Sequence, residues 1–344
     1  MILKDKFGRV HDYLRISLSD KCNLRCFYCM PEESGNSFNQ AEKSPIERDC
    51  VFGLRKDELM SHAEILSIAE TFVNDFGISK IRLTGGEPLI RKDTSEILEG
   101  LAALPVELRI TTNGVFLHKF FDQFQQIGLK SINISLDSLL ERRFTQITKR
   151  PQFKRVMDNI YEAIERGFDV KINTVTLNEV NEDEILDFVE WTREVPVHVR
   201  FIEFMPFSGN AWGLNKVVTH DQIMKKVQNV YPVKKLNDQP NSTAQTYRVP
   251  GFKGTFGVIG TVTTPFCGGC NRVRLTADGK LKNCLFSNEE ADLLTAVRSN
   301  QDIKPLIIDC VGQKLAERAG LEDLRSSNSA QLYERGRIMT AIGG

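Results

Sequence analysis

The 344-residue sequence predicts an α/β fold: an incomplete (β/α)6 barrel of the triosephosphate-isomerase type, followed by a region of different character. Three observations carry this. Short apolar, β-branched runs alternate with helical-period segments at intervals of roughly 25 to 35 residues, and parallel neighbours need such helical crossovers. The runs read as near-continuous apolar stretches, as expected of strands covered on both faces. Each run ends in a distinctive polar or glycine-rich step, and parallel folds gather their working groups at the carboxyl ends of the strands. Six units rather than eight leave the barrel incomplete, and an open doubly wound sheet is the alternative.

The elements follow in order. Residues 13–19 form the first strand, and a loop bearing Cys22, Cys26 and Cys29 leaves it. Residues 31–53, rich in Ser, Asn, Glu and Pro, read as a long surface loop. Over 56–76, Leu59, Ile65, Leu66, Ile68, Ala69, Phe72 and Val73 recur at helical spacing, stopped by Gly77. Strand 78–84 runs into Gly85-Gly86-Glu87-Pro88. Helices over 94–104, 117–127, 153–166 and 182–191 then alternate with strands over 107–111, 131–136, 169–175 and 198–204, the last reaching Met205-Pro206. From about 217 the rhythm breaks into a helix (221–230), a polar stretch (236–246) and a glycine-rich segment (251–260) that reads as antiparallel strands or hairpins. Two regions result, 1–216 and 217–344.

Composition narrows the function. Lys+Arg and Asp+Glu both number 45, so the net charge is zero; a nucleic-acid-coating protein is not indicated, and any anion site must be local. No unbroken apolar stretch offers a signal peptide or a membrane span, which points to a cytoplasmic protein with no membrane partner. In such a compartment eight cysteines are better read as metal ligands than as disulfides. Cys22, Cys26 and Cys29 form one cluster and Cys267, Cys270 and Cys284 another; Cys50 and Cys310 read as buried free thiols.

Three thiols within eight residues can grip one face of a four-iron cluster, which normally takes four cysteines, and so leave one iron open. Tyr28 offers a flat face beside it. A zinc knuckle is the alternative, but no fourth ligand stands at zinc-finger spacing nearby. In the second cluster Gly268 and Gly269 let the backbone curl so that two sulfurs reach one centre. Here zinc completed by Cys310 is the alternative. Arg272 and Arg274 alternate along a strand and so face one side; guanidinium forks beside an incompletely ligated metal suit an anionic ligand.

The Cys-x3-Cys-x2-Cys loop resembles the signature of radical S-adenosylmethionine (SAM) enzymes. Paired with Cys-x2-Cys-x13-Cys near the other end, the chain resembles the MoaA family, the GTP 3′,8-cyclases of molybdenum cofactor biosynthesis. The likeness runs through Asp5-Lys-Phe-Gly-Arg9, Tyr13-Leu-Arg-Ile-Ser17, Thr84-Gly-Gly-Glu-Pro-Leu89, Thr111-Thr-Asn-Gly114, Asn133-Ile-Ser-Leu-Asp137, Arg200-Phe-Ile-Glu-Phe-Met205 and the terminal Gly343-Gly344. One departure is the 33–49 loop, longer than the family's usual and edged by Cys50.

The resemblance implies two [4Fe-4S] clusters, the first on Cys22, Cys26 and Cys29 and the second on Cys267, Cys270 and Cys284, the C-terminal region carrying the latter and closing the barrel. It implies that Tyr28, Gly86, Ser135 and Met205 contact SAM. Arg15, Arg82, Thr111, Lys171, Arg272 and Arg274 would surround GTP, joined by Arg200, with the Gly343-Gly344 tail, preceded by Arg335, Arg337 and Met339, reaching the active site. Reduction by a low-potential donor would release a 5′-deoxyadenosyl radical that takes hydrogen from the 3′ carbon of GTP, giving 3′,8-cyclo-7,8-dihydroguanosine triphosphate. A cyclic pyranopterin monophosphate synthase would act downstream, and a homodimer is expected. The rivals are a peptide-modifying radical SAM enzyme with an auxiliary cluster and a non-enzymatic electron-transfer protein.

Overall fold

A computed structural model describes residues 1–30, 53–320 and 337–343. The 33–49 loop, Cys50, Arg335 and Gly344 lie outside them. Six strands form in the predicted places: β1 (Tyr13–Ser17), β2 (Lys80–Thr84), β3 (Glu107–Thr112), β4 (Ser131–Ser135), β5 (Asp169–Thr176) and β6 (His198–Glu203). All six pair in parallel and in sequence order. The helices between them are α1 (His62–Phe76), α2 (Thr94–Ala102), α3 (Phe121–Gln126), α4 (Glu141–Thr148), α5 (Phe153–Glu165) and α6 (Ile185–Trp191).

Local chemistry sets the boundaries. α1 starts at His62 rather than near residue 56 because Ser61 and Glu64 form a reciprocal capping box there, and Gly77 ends it at φ 69°. The predicted 117–127 helix is split into a 3₁₀ turn, Leu117–Lys119, and α3. α4 was not legible from the sequence: its Glu-Arg-Arg opening hides a narrow buried stripe, Phe144, Ile147 and Thr148, on an otherwise polar helix.

The C-terminal strands differ from expectation. β9 (Thr255–Ile259) joins β6 in parallel, and β10 (Arg272–Leu275) joins the outer side of β1 in parallel, so eight neighbouring strands run the same way. Antiparallel pairing is confined to the flanks, β7 (Lys234–Lys235) with β8 (Gln245–Arg248) and β8 with β9, and β11 (Lys280–Lys282) between β10 and β12 (Ala291–Asp292). The order is β12-β11-β10-β1-β2-β3-β4-β5-β6-β9-β8-β7, one twelve-stranded sheet with two-residue strands at both edges and no closing pair. Helices α7 (His220–Gln228), α8 (Leu293–Arg298) and α9 (Lys304–Gly312) pack on its outside, and a last short helix, α10 (Met339–Ile342), ends the described chain.

The strands are not apolar throughout. In β5 and β6 every second side chain, such as Val170, Ile172, Val199 and Phe201, is buried against the helices, while the intervening ones are only partly covered. Most of those intervening residues are polar (Asp169, Lys171, Asn173, His198 and Arg200, with Val175 and Ile202 the exceptions), which makes the concave side a cavity rather than a second core.

Candidate active site

The concave face encloses a cavity of about 1070 Å³, beyond the roughly 300–1,000 Å³ typical of a single small-molecule site. All six clustered cysteines line it. So do every other proposed contact except Gly343 and the undescribed Gly344: Tyr28, Gly86, Ser135, Met205, Arg15, Arg82, Thr111, Lys171, Arg200, Arg272 and Arg274.

The first cysteine loop leaves β1 and is held from three sides. Arg25 and Phe27 donate backbone N–H bonds to Thr148 and Ile147 at the end of α4. Asn113 Nδ2 approaches Cys22 Sγ at 3.6 Å. The Tyr28 hydroxyl donates to Asp137 at 2.6 Å, and Asp137 also accepts the Val175 N–H. Beneath the loop, Gly85 and Gly86 press on its root: a Cβ on Gly86 would collide with the Lys21 carbonyl, and one on Gly85, at φ 152°, with that of Ser19. The structure thus gives Gly86 a reason the sequence did not offer, close contact with the cysteine loop itself. Glu87, fully enclosed, locks the arrangement by accepting from Leu89 N–H, Asn113 N–H and the Thr112 hydroxyl at 2.6–3.0 Å.

Burial pushes the Cys22 thiol up to about 11 and raises those of Cys26 and Cys29 as well, with Glu87 or Asp137 adding to it. Three half-buried thiols beside carboxylates are poor thiolates on their own. A bound cationic centre supplies the missing compensation, so the donor set fits a metal cluster.

The second cysteine loop is tied to the chain's start. Arg9, paired with Asp5 at 2.6 Å, donates to the carbonyls of Cys267, Leu315 and Ala316 at 2.8–2.9 Å. This is the physical content of the Asp5-to-Arg9 motif. On the other side, buried Glu203 accepts from Val262 N–H, Thr263 N–H, the Thr263 hydroxyl and His220 N–H, fixing the approach to Cys267. Burial alone would raise Cys270, but Lys314 and Arg272 outweigh it and hold the thiol below its usual range. Cys267, further from them, is raised by burial. Cys310 takes no part: it is buried in the core, its thiol donates to the Leu281 carbonyl at 3.5 Å, and it does not line the cavity. Among the described residues no group of three or more His, Cys, Asp or Glu side chains is placed to hold a single metal ion.

Between the two loops lies a row of cations. Arg274, Arg15, Arg82 and Arg109 are register partners across β10, β1, β2 and β3, side by side on adjacent strands about 4.8 Å apart. Arg82 donates to the Tyr13 hydroxyl, to the Ile110 carbonyl at 3.0 Å and to Thr111 at 3.3 Å. Lys171 pairs with Asp169, and Arg109 with Glu107 at 2.6 Å. Burial lowers Arg200 to about 9, helped by Arg82, and lowers Arg274 to about 10, helped by Arg272. It also lowers Arg15 well below its ordinary value. Two Arg200 nitrogens and the amide oxygens of Asn133 and Asn173 are buried without a hydrogen-bond partner. Crowded guanidiniums with orphaned donors could hold a polyanion. Arg109, Lys80, Asn173 and His198 were not named as site residues from sequence, and Asn133 only as part of a motif; their alternation with apolar neighbours was the available signal.

The tail enters this site. Gly343 adopts φ 82°, a Cβ there would press on Thr84 and Ser17, and its carbonyl accepts from Arg274 at 2.7 Å. Met339 and Thr340 line the cavity, while Arg337 is anchored outside it by Asp278 and Glu290.

Comparison with known proteins gives this geometry a class. Residues 16–192 match the radical SAM superfamily, and residues 197–320 match a family described as Molybdenum Cofactor Synthesis C. Streptococcus suis SuiB, solved bound to S-adenosylmethionine, shares the fold over 98% of this chain and 73% of its own, with a TM-score of 0.59 at 13% identity. A GTP 3′,8-cyclase of Listeria monocytogenes is 41% identical over 100% of this chain and 99% of its own length. The mitochondrial GTP 3′,8-cyclase of Arabidopsis thaliana is 43% identical, covering 84% of that protein. Mouse molybdenum cofactor biosynthesis protein 1 is 43% identical, but the chain spans only 51% of its length. The chain belongs to the GTP 3′,8-cyclase family within the radical SAM superfamily.

Among the described residues no helix is long and apolar enough to cross a membrane.

Proposed function

We propose that the chain is a GTP 3′,8-cyclase acting at the first step of molybdenum cofactor biosynthesis, with one [4Fe-4S] cluster on Cys22, Cys26 and Cys29 and a second on Cys267, Cys270 and Cys284. The observation that carries it is the single cavity lined by both cysteine sets, with four arginines in register between them. When bound and reduced, the first cluster with SAM supplies a 5′-deoxyadenosyl radical able to take hydrogen from the GTP ribose.

The chain's own part is positioning, charge and exclusion of water. In this reading Gly86 and Ser135 border the SAM side, Tyr28 is held at the first cluster by Asp137, and Met205 offers backbone and a soft side chain to the adenine. Arg15, Arg82, Lys171 and Arg200, with Thr111, receive the triphosphate, and the orphaned Arg200 donors find their partners there. Arg272 and Arg274 stand nearest the second cysteine set and neutralise substrate held against it; Gly343, on Arg274, brings the tail to the reacting end. Reduction calls for an external low-potential donor, and a cyclic pyranopterin monophosphate synthase would take the product. A cytoplasmic site and a homodimer belong to the same reading, though the cavity is built from one chain.

Anaerobic reconstitution, iron counting and product analysis with GTP and SAM test the proposal. About eight irons per chain, 5′-deoxyadenosine and a cyclised nucleotide are expected. Zinc in place of iron, or turnover of a peptide and not of GTP, would overturn it. Arg272→Ala should weaken cyclisation while SAM cleavage without substrate persists.

A further inference from the structure

Lys314 is 3% exposed, a rare burial for a lysine, and no motif singled it out. It follows α9 and enters the protein behind the second cysteine loop. Its Nζ stands 3.3 Å from Cys270 Sγ, 3.0 Å from the Arg272 carbonyl and 3.0 Å from His11 Nε2. His11 is itself fully buried, and its Nδ1 lies 3.0 Å from the Arg9 carbonyl, an acceptor only. Nδ1 therefore carries the ring proton and Nε2 is an acceptor toward Lys314. An ammonium has three donors, and here each meets one acceptor: a ring nitrogen, a carbonyl and a cysteine sulfur. The lysine is held by two groups that bind no metal and is pointed at a third that does.

The two cysteine sets differ in this respect. Beside the first stand two buried carboxylates, Glu87 and Asp137, against one cation, Arg25; beside the second stand Lys314, Arg272 and Arg274 against one carboxylate, Glu317 near Cys267. Hydrogen bonds to ligand sulfurs and nearby charge set the potential of an iron–sulfur centre, because a donor or cation stabilises the electron-rich reduced form.

We propose that Lys314 is a positioning residue for the second cluster, its ammonium hydrogen-bonded to the Cys270 sulfur so as to hold that cluster at a higher reduction potential than the first. The consequence is that an electron delivered to the first site is spent there, on SAM, only while the second is already reduced or redox-isolated, and Lys314 sets the gap between the two. The inference rests on the two-cluster reading.

The test uses reconstituted holoenzyme titrated with reductant and followed by electron paramagnetic resonance. In Lys314→Met, which keeps the length of the side chain without its charge or donors, the second cluster should shift to more negative potential while the first stays put. Lys314→Arg should recover part of the shift. An unchanged second potential, or equal shifts in both clusters, would overturn the proposal. Should Lys314→Met bind only four irons, wild-type protein labelled with ¹⁵N-lysine decides: a lysine nitrogen coupled to the reduced second cluster supports the proposal, and none refutes it. Wild-type protein lacking the second cluster altogether would instead refute the two-cluster reading.

Discussion

At the scale of the residue, what matters is which polar group is buried and what it faces. Arg109 extends the arginine row to a fourth strand, yet is held by Glu107 at the cavity rim. Replacing it by Ala should weaken GTP binding about tenfold, 1.4 kcal/mol, while SAM binding is unaffected, as equilibrium dialysis of both ligands will show. Losses below twofold would mean that the row ends at Arg82. His198 faces Lys171 and Arg200, and burial first, then these cations, lowers it to about 3. A base with a folded value below its unfolded 6.5 takes up its proton on unfolding. Its contribution to stability is therefore complete above pH 6.5 and fades as pH falls toward 3. The melting temperature should drop over that window, and less steeply in His198→Gln. Neither residue lies in a cysteine or glycine motif. Both become visible only when the strand's alternation is laid against a cavity wall.

At the scale of the element, each motif proves to be a joint between elements. Gly86 joins β2 to the first cysteine loop through backbone contact with Lys21. In Gly86→Ala the loop must move, so iron should fall from about eight to about four per chain, with the second set still loaded. Retention of all the iron would show that the loop yields cheaply. Glu203 likewise joins β6 to the approach to Cys267; Glu203→Gln leaves buried N–H donors facing an amide and should cost on the order of 1–3 kcal/mol in denaturant unfolding. The strands β1 to β6 and most of their helices were legible because period-2 and period-3.6 patterns alternate cleanly between turn residues. β9 and β10 were not read as parallel. Their partners, β6 and β1, lie far away in sequence, and a glycine-rich local pattern favours the hairpin reading. The cysteines and the strand-end motifs, Glu87 and Asp137 among them, were legible from sequence, whereas the part these two carboxylates and Lys314 play comes from burial, which spacing does not encode.

At the scale of the whole molecule, the sheet is one body built from both ends of the chain. The 217–344 region supplies strands to both flanks of the six-stranded core rather than packing as a separate layer. Gly343, against Ser17 and Thr84, brings the last described residue to the first and second strands. A chain ending at residue 336 should keep its iron and its SAM cleavage but lose cyclisation, checked by separate assay of 5′-deoxyadenosine and cyclised nucleotide. Retained cyclisation would remove the tail from the reaction.

The pairing of Tyr13–Ser17 with Arg272–Leu275 also dictates an order of birth. As the polypeptide leaves the ribosome, its first strand must wait with one flank bare until some 250 further residues have been made. In the two-cluster reading the early thiols can take up iron during that interval, but the later trio is framed only once residues 267–314 have been made, since Arg9 clasps Cys267 and Lys314 meets Cys270. In that reading maturation runs in a fixed order, and a product truncated before residue 267 would carry the first cysteine set alone.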